Sequence, residues 1–211
     1  MSPRRGSFIT LEGGEGAGKS TQAGLLCDYL RKRGLDAVQT REPGGTPGAE
    51  QIRALLTTGA ADRWTPESEA LLLYAARADH VARLIRPALD RGAWVVCDRF
   101  SDSTHAYQGA GHGMDPAVLD ALHHAALGDF GPDLTLILDL PPEVGLARAA
   151  QRGGEARFES LPADFHARLR HGFLAIAEAE PERCVVIDAT QPAEAVNAAV
   201  QHAVRGRLTL D

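Results

Sequence analysis

The sequence predicts an α/β protein, a five-stranded parallel sheet with helices on both faces. Short apolar runs alternate with helical patterns from end to end, the runs are continuously apolar, and the first meets a glycine-rich turn that opens a helix. Continuous apolar runs suit strands covered on both faces, as between two helical layers.

Residues 7–11 form the first predicted strand, and residues 19–33 the helix after the turn. That helix sets Leu25, Leu26, Tyr29 and Leu30 on one face and stops at Gly34. Residues 36–40 read as a weaker strand. Residues 95–97 are a clear one, ending in Asp98-Arg99; residues 134–140 and 184–187 supply the last two. A long helix is predicted over 67–89 and another from Asp115-Pro116 toward Gly128. A final helix repeats Val196, Ala199, Val200, Ala203 and Val204 at helical spacing. The element order βαβααβααβααβα is that of a doubly wound sheet. No repeat or linker divides the 211 residues, so one domain is expected.

With 44% hydrophobic and 24% charged residues, the composition is that of a water-soluble globular protein. A net charge of −6 argues against a general nucleic-acid binder, whose footprint is basic. No run has the length of a signal peptide's apolar core or a membrane span. Cys27, Cys97 and Cys184 are odd in number, widely spaced and set among apolar neighbours. They read as buried thiols in a reducing compartment, which places the chain in the cytoplasm.

Gly13-Gly14-Glu15-Gly16-Ala17-Gly18-Lys19-Ser20 matches the phosphate-loop pattern G-x-x-x-x-G-K-[ST] at every fixed position, followed by Thr21. Its glycines let backbone N–H groups turn inward around phosphates, Lys19 reaches the outer phosphates, and the Ser20 hydroxyl suits Mg²⁺. The context is right as well: an apolar strand precedes the loop and a helix follows. The fold is therefore expected to be the three-layer P-loop NTPase arrangement, with residues 13–21 binding a nucleoside triphosphate. Glu12 reads equally as a strand-end residue or a site acid, and Glu15 can point from the loop toward a second substrate. Asp98 ends a buried strand, either as a Mg²⁺ holder or as a helix cap. Arg99 offers a planar, permanently charged fork for a second phosphate.

Several segments in order and spacing resemble bacterial thymidylate kinases. They are residues 13–21, Arg41-Glu42-Pro43-Gly44-Gly45-Thr46, Tyr74-Ala75-Ala76-Arg77, Asp98-Arg99-Phe100 and Ala106-Tyr107-Gln108-Gly109, with later matches at 132–136 and 188–192. The resemblance spans about residues 7–204. It implies Mg²⁺- and ATP-dependent phosphorylation of dTMP to dTDP by one kinase domain over 1–211, with a homodimeric assembly. It implies that Arg99 contacts the dTMP phosphate, Arg77 the base, and Glu15 the region of the 3′-hydroxyl. Tyr107 closes against the 2′ carbon, Ser103, Thr104 and Gln108 line the same pocket, and the segment from Arg41 through Pro43 to Gly45 borders the monophosphate. Leu73 stands where the family usually has a base-stacking phenylalanine, leaving Tyr74, Phe100 or Leu73 itself to cover the base. Gly16-Ala17 stand where some members carry a loop arginine, as in the class that draws its cation from a lid.

That lid is expected at about 148–160, where arginines mix with glycines between two helical patterns. Closure would expel water and bring guanidinium groups to the transferring phosphoryl. Arg152 and Arg157 lie nearest the glycines, whereas Arg148 fits the preceding helix. The acceptor is already an anion, so no general base is assigned, and His123-His124 lacks the spacing of a helical metal pair. The alternatives are a kinase for another deoxynucleotide, which Leu73 keeps open, and a switch ATPase.

Overall fold

The computed structural model describes residues 5–60, 62–153 and 157–210, with the Arg152 side chain also outside the description. Five strands, β1 (Phe8–Glu12), β2 (Ala37–Arg41), β3 (Trp94–Asp98), β4 (Leu134–Asp139) and β5 (Cys184–Asp188), form one sheet in the order β2-β3-β1-β4-β5. Every pairing is parallel, as predicted.

The continuous apolar runs follow from burial on both faces, since side chains alternate across a strand. On one face, Ile9 and Leu11 join Val96, Leu134, Leu136 and Leu138 beneath α1 (Lys19–Lys32) and α9 (Ala193–Arg207). On the other, Phe8, Val95 and Cys97 meet Val81, Ile85 and Leu89. Ile137 and Cys184 pack there against Phe165, Leu169 and Phe173 of α8 (Ala163–Ala179).

The long helix expected over 67–89 is interrupted. It runs as α3 (Pro66–His80), a π-helical turn (Val81–Ile85) and α4 (Arg86–Asp90), with the Arg86 N–H reaching back five residues to Val81 O. Pro87 is the physical reason: it lacks an N–H and its ring crowds the carbonyl four residues back, so the chain widens one turn to continue. Between β2 and α3 lies α2 (Pro47–Thr57), which the sequence order implied without delimiting. Thr46 caps it, accepting from Ala49 N at 3.3 Å, and Pro47 starts its first turn. After β3 come α5 (Ser101–Thr104) and a second π-helical segment (His105–Gly111), then α6 (Pro116–Leu127), capped by Asp115 as expected. The helix α7 (Pro142–Arg152) leads from β4. No helix of the described residues is long and apolar enough to cross a membrane.

Candidate active site

The site is assembled on the C-terminal edge of the sheet, where β1 hands over to the phosphate loop. Gly13 (φ 134°) and Gly16 (φ 66°) adopt backbone shapes that L side chains rarely take. A Cβ on Gly16 would stand 2.0 Å from Gly145 O, so the loop packs directly on the start of α7. Gly18, at φ 89°, turns the chain into α1, whose first turn carries no acidic residue. The N–H groups of that turn therefore remain an anion site.

Lys19 curls over the loop, donating to Gly13 O at 3.1 Å and Gly14 O at 2.7 Å. Burial, with Arg99 adding to it, pulls its ammonium down to about 8. The Ser20 hydroxyl donates to Asp98 at the end of β3. These hard oxygen donors at the phosphate end suit Mg²⁺, which takes one or two protein oxygens and completes its shell with phosphate and water. Among the described residues no group of three or more His, Cys, Asp or Glu forms a metal cluster.

Arg99 is the one non-glycine with positive φ among the described residues, at 71°. That turn swings its guanidinium back across β1. It donates to Gly13 O at 3.0 Å, Ser103 Oγ at 3.2 Å and Glu15 Oε1 at 3.1 Å, and lies 4.9 Å over the Tyr107 ring. Tyr107 also donates to Glu15. Burial alone would raise the Glu15 carboxyl, but Arg99 and Lys19 outweigh it and hold the acid at about 2. Glu12 differs. It is fully buried, accepts from Phe100 N at 2.7 Å and Ser103 Oγ at 2.5 Å, and is pushed up to about 8 by burial and by neighbouring Asp102. Of its two readings, the structure gives a buried clamp on the turn that carries Arg99.

A cavity of about 520 Å³ opens beside this cluster, and nine of the predicted substrate residues line it: Glu15, Pro43, Leu73, Arg77, Arg99, Ser103, Thr104, Tyr107 and Gln108. Arg41 lies on the adjoining smaller cavity with Lys19, Ser20 and Asp98, paired with Glu50 at 3.0 Å. The two cavities share Glu15, Ser20, Thr21, Glu42, Arg53 and Arg99, so the phosphate loop and the larger cavity form one continuous cleft. Phe100 and Leu73 both line it, whereas Tyr74 turns its ring toward His123 at 5.9 Å.

Arg77 is buried at the cavity floor. It donates to Glu42 at 2.6 Å, Phe100 O at 3.1 Å and Thr104 Oγ1 at 3.0 Å, while its Nη1 has no partner. Gln108 donates to Glu69 at 3.0 Å, and its Oε1 is likewise buried without a partner. A donor and an acceptor left unmet in a cavity are costly unless a ligand meets them.

Arg148 belongs to α7 and donates to Ala189 O at 3.0 Å. Arg152 ends that helix; its side chain, like residues 154–156 of the expected lid, lies outside the described residues. Arg157 lines the cavity but is buried against Glu69, with further bonds to Leu56 O at 3.0 Å and Ala60 O at 3.1 Å. Sequence reasoning missed Arg53, Leu56 and Thr57, which reach the cleft from α2, and Glu69, which sits behind it; Glu42, inside the segment expected to border the monophosphate, lines the cleft and holds Arg77. The Thr46-Pro47 cap was the available signal for α2; nothing local marked Glu69.

The family model described as thymidylate kinase matches residues 11–200. A thymidylate kinase of Caulobacter vibrioides is 60% identical over 206 residues, covering 98% of this chain and 99% of its own. One from Bradyrhizobium sp. (strain ORS 278) is 56% identical over 209 residues, covering 98% and 92% respectively. The crystal structure of thymidylate kinase from Ehrlichia chaffeensis superposes with a TM-score of 0.77 at 36% identity, over 95% of this chain and 99% of that one. With the cleft described above, these matches place the chain in the thymidylate kinase family.

Proposed function

We propose that this chain, as one kinase domain, transfers the γ-phosphoryl of ATP to dTMP, giving ADP and dTDP. The observation that carries the reading is the continuous cleft: a phosphate loop opens, through Glu15 and Arg99, into a cavity with one unmet donor and one unmet acceptor. A hydrolytic switch has no use for the second half of that cleft.

In this reading the loop N–H groups of residues 13–21 and Lys19 hold the donor phosphates. Ser20 and Asp98 would hold Mg²⁺, which when bound would supply charge neutralisation at the phosphate oxygens. Arg99 exchanges its present contacts for the acceptor phosphate and keeps it in line; Glu15 faces the acceptor sugar beside Tyr107. Arg41, Pro43, Ser103 and Thr104 complete the acceptor's surroundings, and Leu73 and Phe100 give the base its apolar contact. Transfer is direct, with the acceptor oxygen attacking the γ-phosphorus as the bond to ADP breaks. Arg152, at the mouth of the lid, supplies the transition-state cation, while Arg157 in the conformation described holds the lid's far end to α2 and α3.

The reading extends to a homodimer in the cytoplasm acting on a small molecule rather than on nucleic acid or membrane. Three unpaired, buried cysteines fit a reducing compartment, and Leu71 on α3 and Val118 on α6 are large apolar side chains left exposed. An ADP-release assay across dTMP, dUMP, dGMP and thymidine tests the central claim. Turnover is expected to be highest with dTMP; no preference for it would sink the assignment.

A further inference from the structure

Glu69 is not on the cavity wall, yet it stands directly behind a residue that is. Both are nearly inaccessible, Glu69 at 2% exposure and Gln108 at 1%. The two Glu69 oxygens are divided: Oε1 pairs with Arg157, and Oε2 accepts from Gln108 Nε2 at 3.0 Å. An ionised carboxylate only accepts hydrogen bonds, so the amide beside it has one choice of orientation. Its NH₂ must face Glu69. The carbonyl Oε1 is thereby turned the other way and is left as a buried acceptor without a partner, on a residue that lines the cavity. Arg77 Nη1, buried on the same cavity, is the matching unmet donor.

Accordingly, we infer that Glu69 is a specificity-determining positioning residue: it locks the Gln108 amide carbonyl toward the cavity, so that the site accepts a base edge bearing a ring N–H. This inference rests on the proposed dTMP kinase reading and deepens it. Thymine and uracil carry an N3–H beside a 4-carbonyl, which meets the Gln108 acceptor and the Arg77 donor. Cytosine carries a bare N3 acceptor beside a 4-amino donor, so it sets acceptor against acceptor and donor against donor. Without Glu69, Gln108 is free to flip and offer its NH₂, and half of that rejection disappears. Arg157 acts on the other carboxylate oxygen and does not itself fix the amide.

The test compares kcat/KM for dTMP, dUMP and dCMP in wild type, Glu69→Gln and Arg157→Gln. Glu69→Gln is expected to narrow the dTMP/dCMP ratio by roughly 10–100-fold, mainly through KM, because a site built around a hydrogen bond loses its discrimination with it. The dTMP/dUMP ratio, which reads only the 5-methyl group, stays at its wild-type value. Arg157→Gln keeps the wild-type dTMP/dCMP ratio. If Glu69→Gln lowers all three substrates alike, or Arg157→Gln relaxes the ratio equally, Glu69 is a structural clamp and the inference fails. Should Glu69→Gln not fold because the buried Arg157 charge loses its carboxylate, Glu69→Gln/Arg157→Gln removes both charges and is held to the same outcome. A wild-type enzyme that does not prefer dTMP over dCMP would overturn the underlying reading instead, before any variant is compared.

Discussion

Arg99 concentrates the site's electrostatics in one side chain. Its left-handed backbone, at φ 71°, aims a guanidinium at the phosphate loop, at Ser103 and at Glu15 together. Arg99→Ala is expected to lower turnover by roughly 10³-fold or more, as for other phosphate-binding arginines in phosphoryl transfer. Far-ultraviolet circular dichroism should be unchanged; wild-type-like turnover would remove Arg99 from the acceptor role. Glu12 offers a second residue-level test, through pH. Its carboxyl ordinarily sits at 4.5 and is raised to about 8 in the fold, so folding takes up a proton between those values. The stability it contributes is full below the lower value and is lost as pH rises through the upper one. Glu12→Gln keeps the neutral form and should flatten the fall in melting temperature between about pH 5 and 8. A slope parallel to wild type would show that Glu12 is already ionised when folded. The loop was readable residue by residue because its chemistry is local. Glu69 was not: its role appears only when α3, the π-helical segment and the residues after the lid converge.

At the scale of elements, the sequence marked each strand but trimmed the polar end from most of them. Glu12, Arg41, Asp98 and Asp188 all belong to their strands, because parallel pairing continues past the apolar run to the C-terminal edge of the sheet. An apolar run therefore ends before the strand does, and at β2 and β3 the residue that ends it, Arg41 or Asp98, lies on the cleft. The helix expected over 67–89 is present as one helical run over 66–90, but periodicity does not register the π-helical turn inside it that absorbs Pro87. The second π-helical segment, which carries Tyr107 and Gln108, left no mark in the pattern either, and such segments often lie at functional sites. The α2 helix is the most testable of the elements. Thr46 caps its first turn and also donates to Asp79 at 2.5 Å, tying α2 to α3 beside the cavity. Thr46→Ala should cost about 1–2 kcal/mol of stability, in the range of lost helix caps. Urea unfolding measures it, and a change below about 0.3 kcal/mol would show that the cap is replaced by solvent.

Across the whole molecule, the two halves of the cleft are carried by different parts of the chain. The phosphate loop joins β1 to α1, whereas the acceptor cavity is walled largely by α2, α3, the turn after β3 and the residues at the lid's far end. Lys19 belongs to the first half only, so removing it separates binding of the acceptor from transfer to it. Lys19→Ala should lose turnover by orders of magnitude, since in the proposed reading the lysine holds the donor phosphates. Glu15 keeps its Arg99 and Tyr107 partners in that variant, and the cavity floor at Arg77 and Gln108 is untouched. dTMP should therefore still bind and stabilise the fold. At about 100 times its dissociation constant a ligand adds about 2.7 kcal/mol, which for a chain of this size raises the melting temperature by about 5–10 °C. Thermal unfolding of Lys19→Ala with and without dTMP measures this directly. A shift that vanished along with turnover would mean that the acceptor half forms only once the donor half is filled.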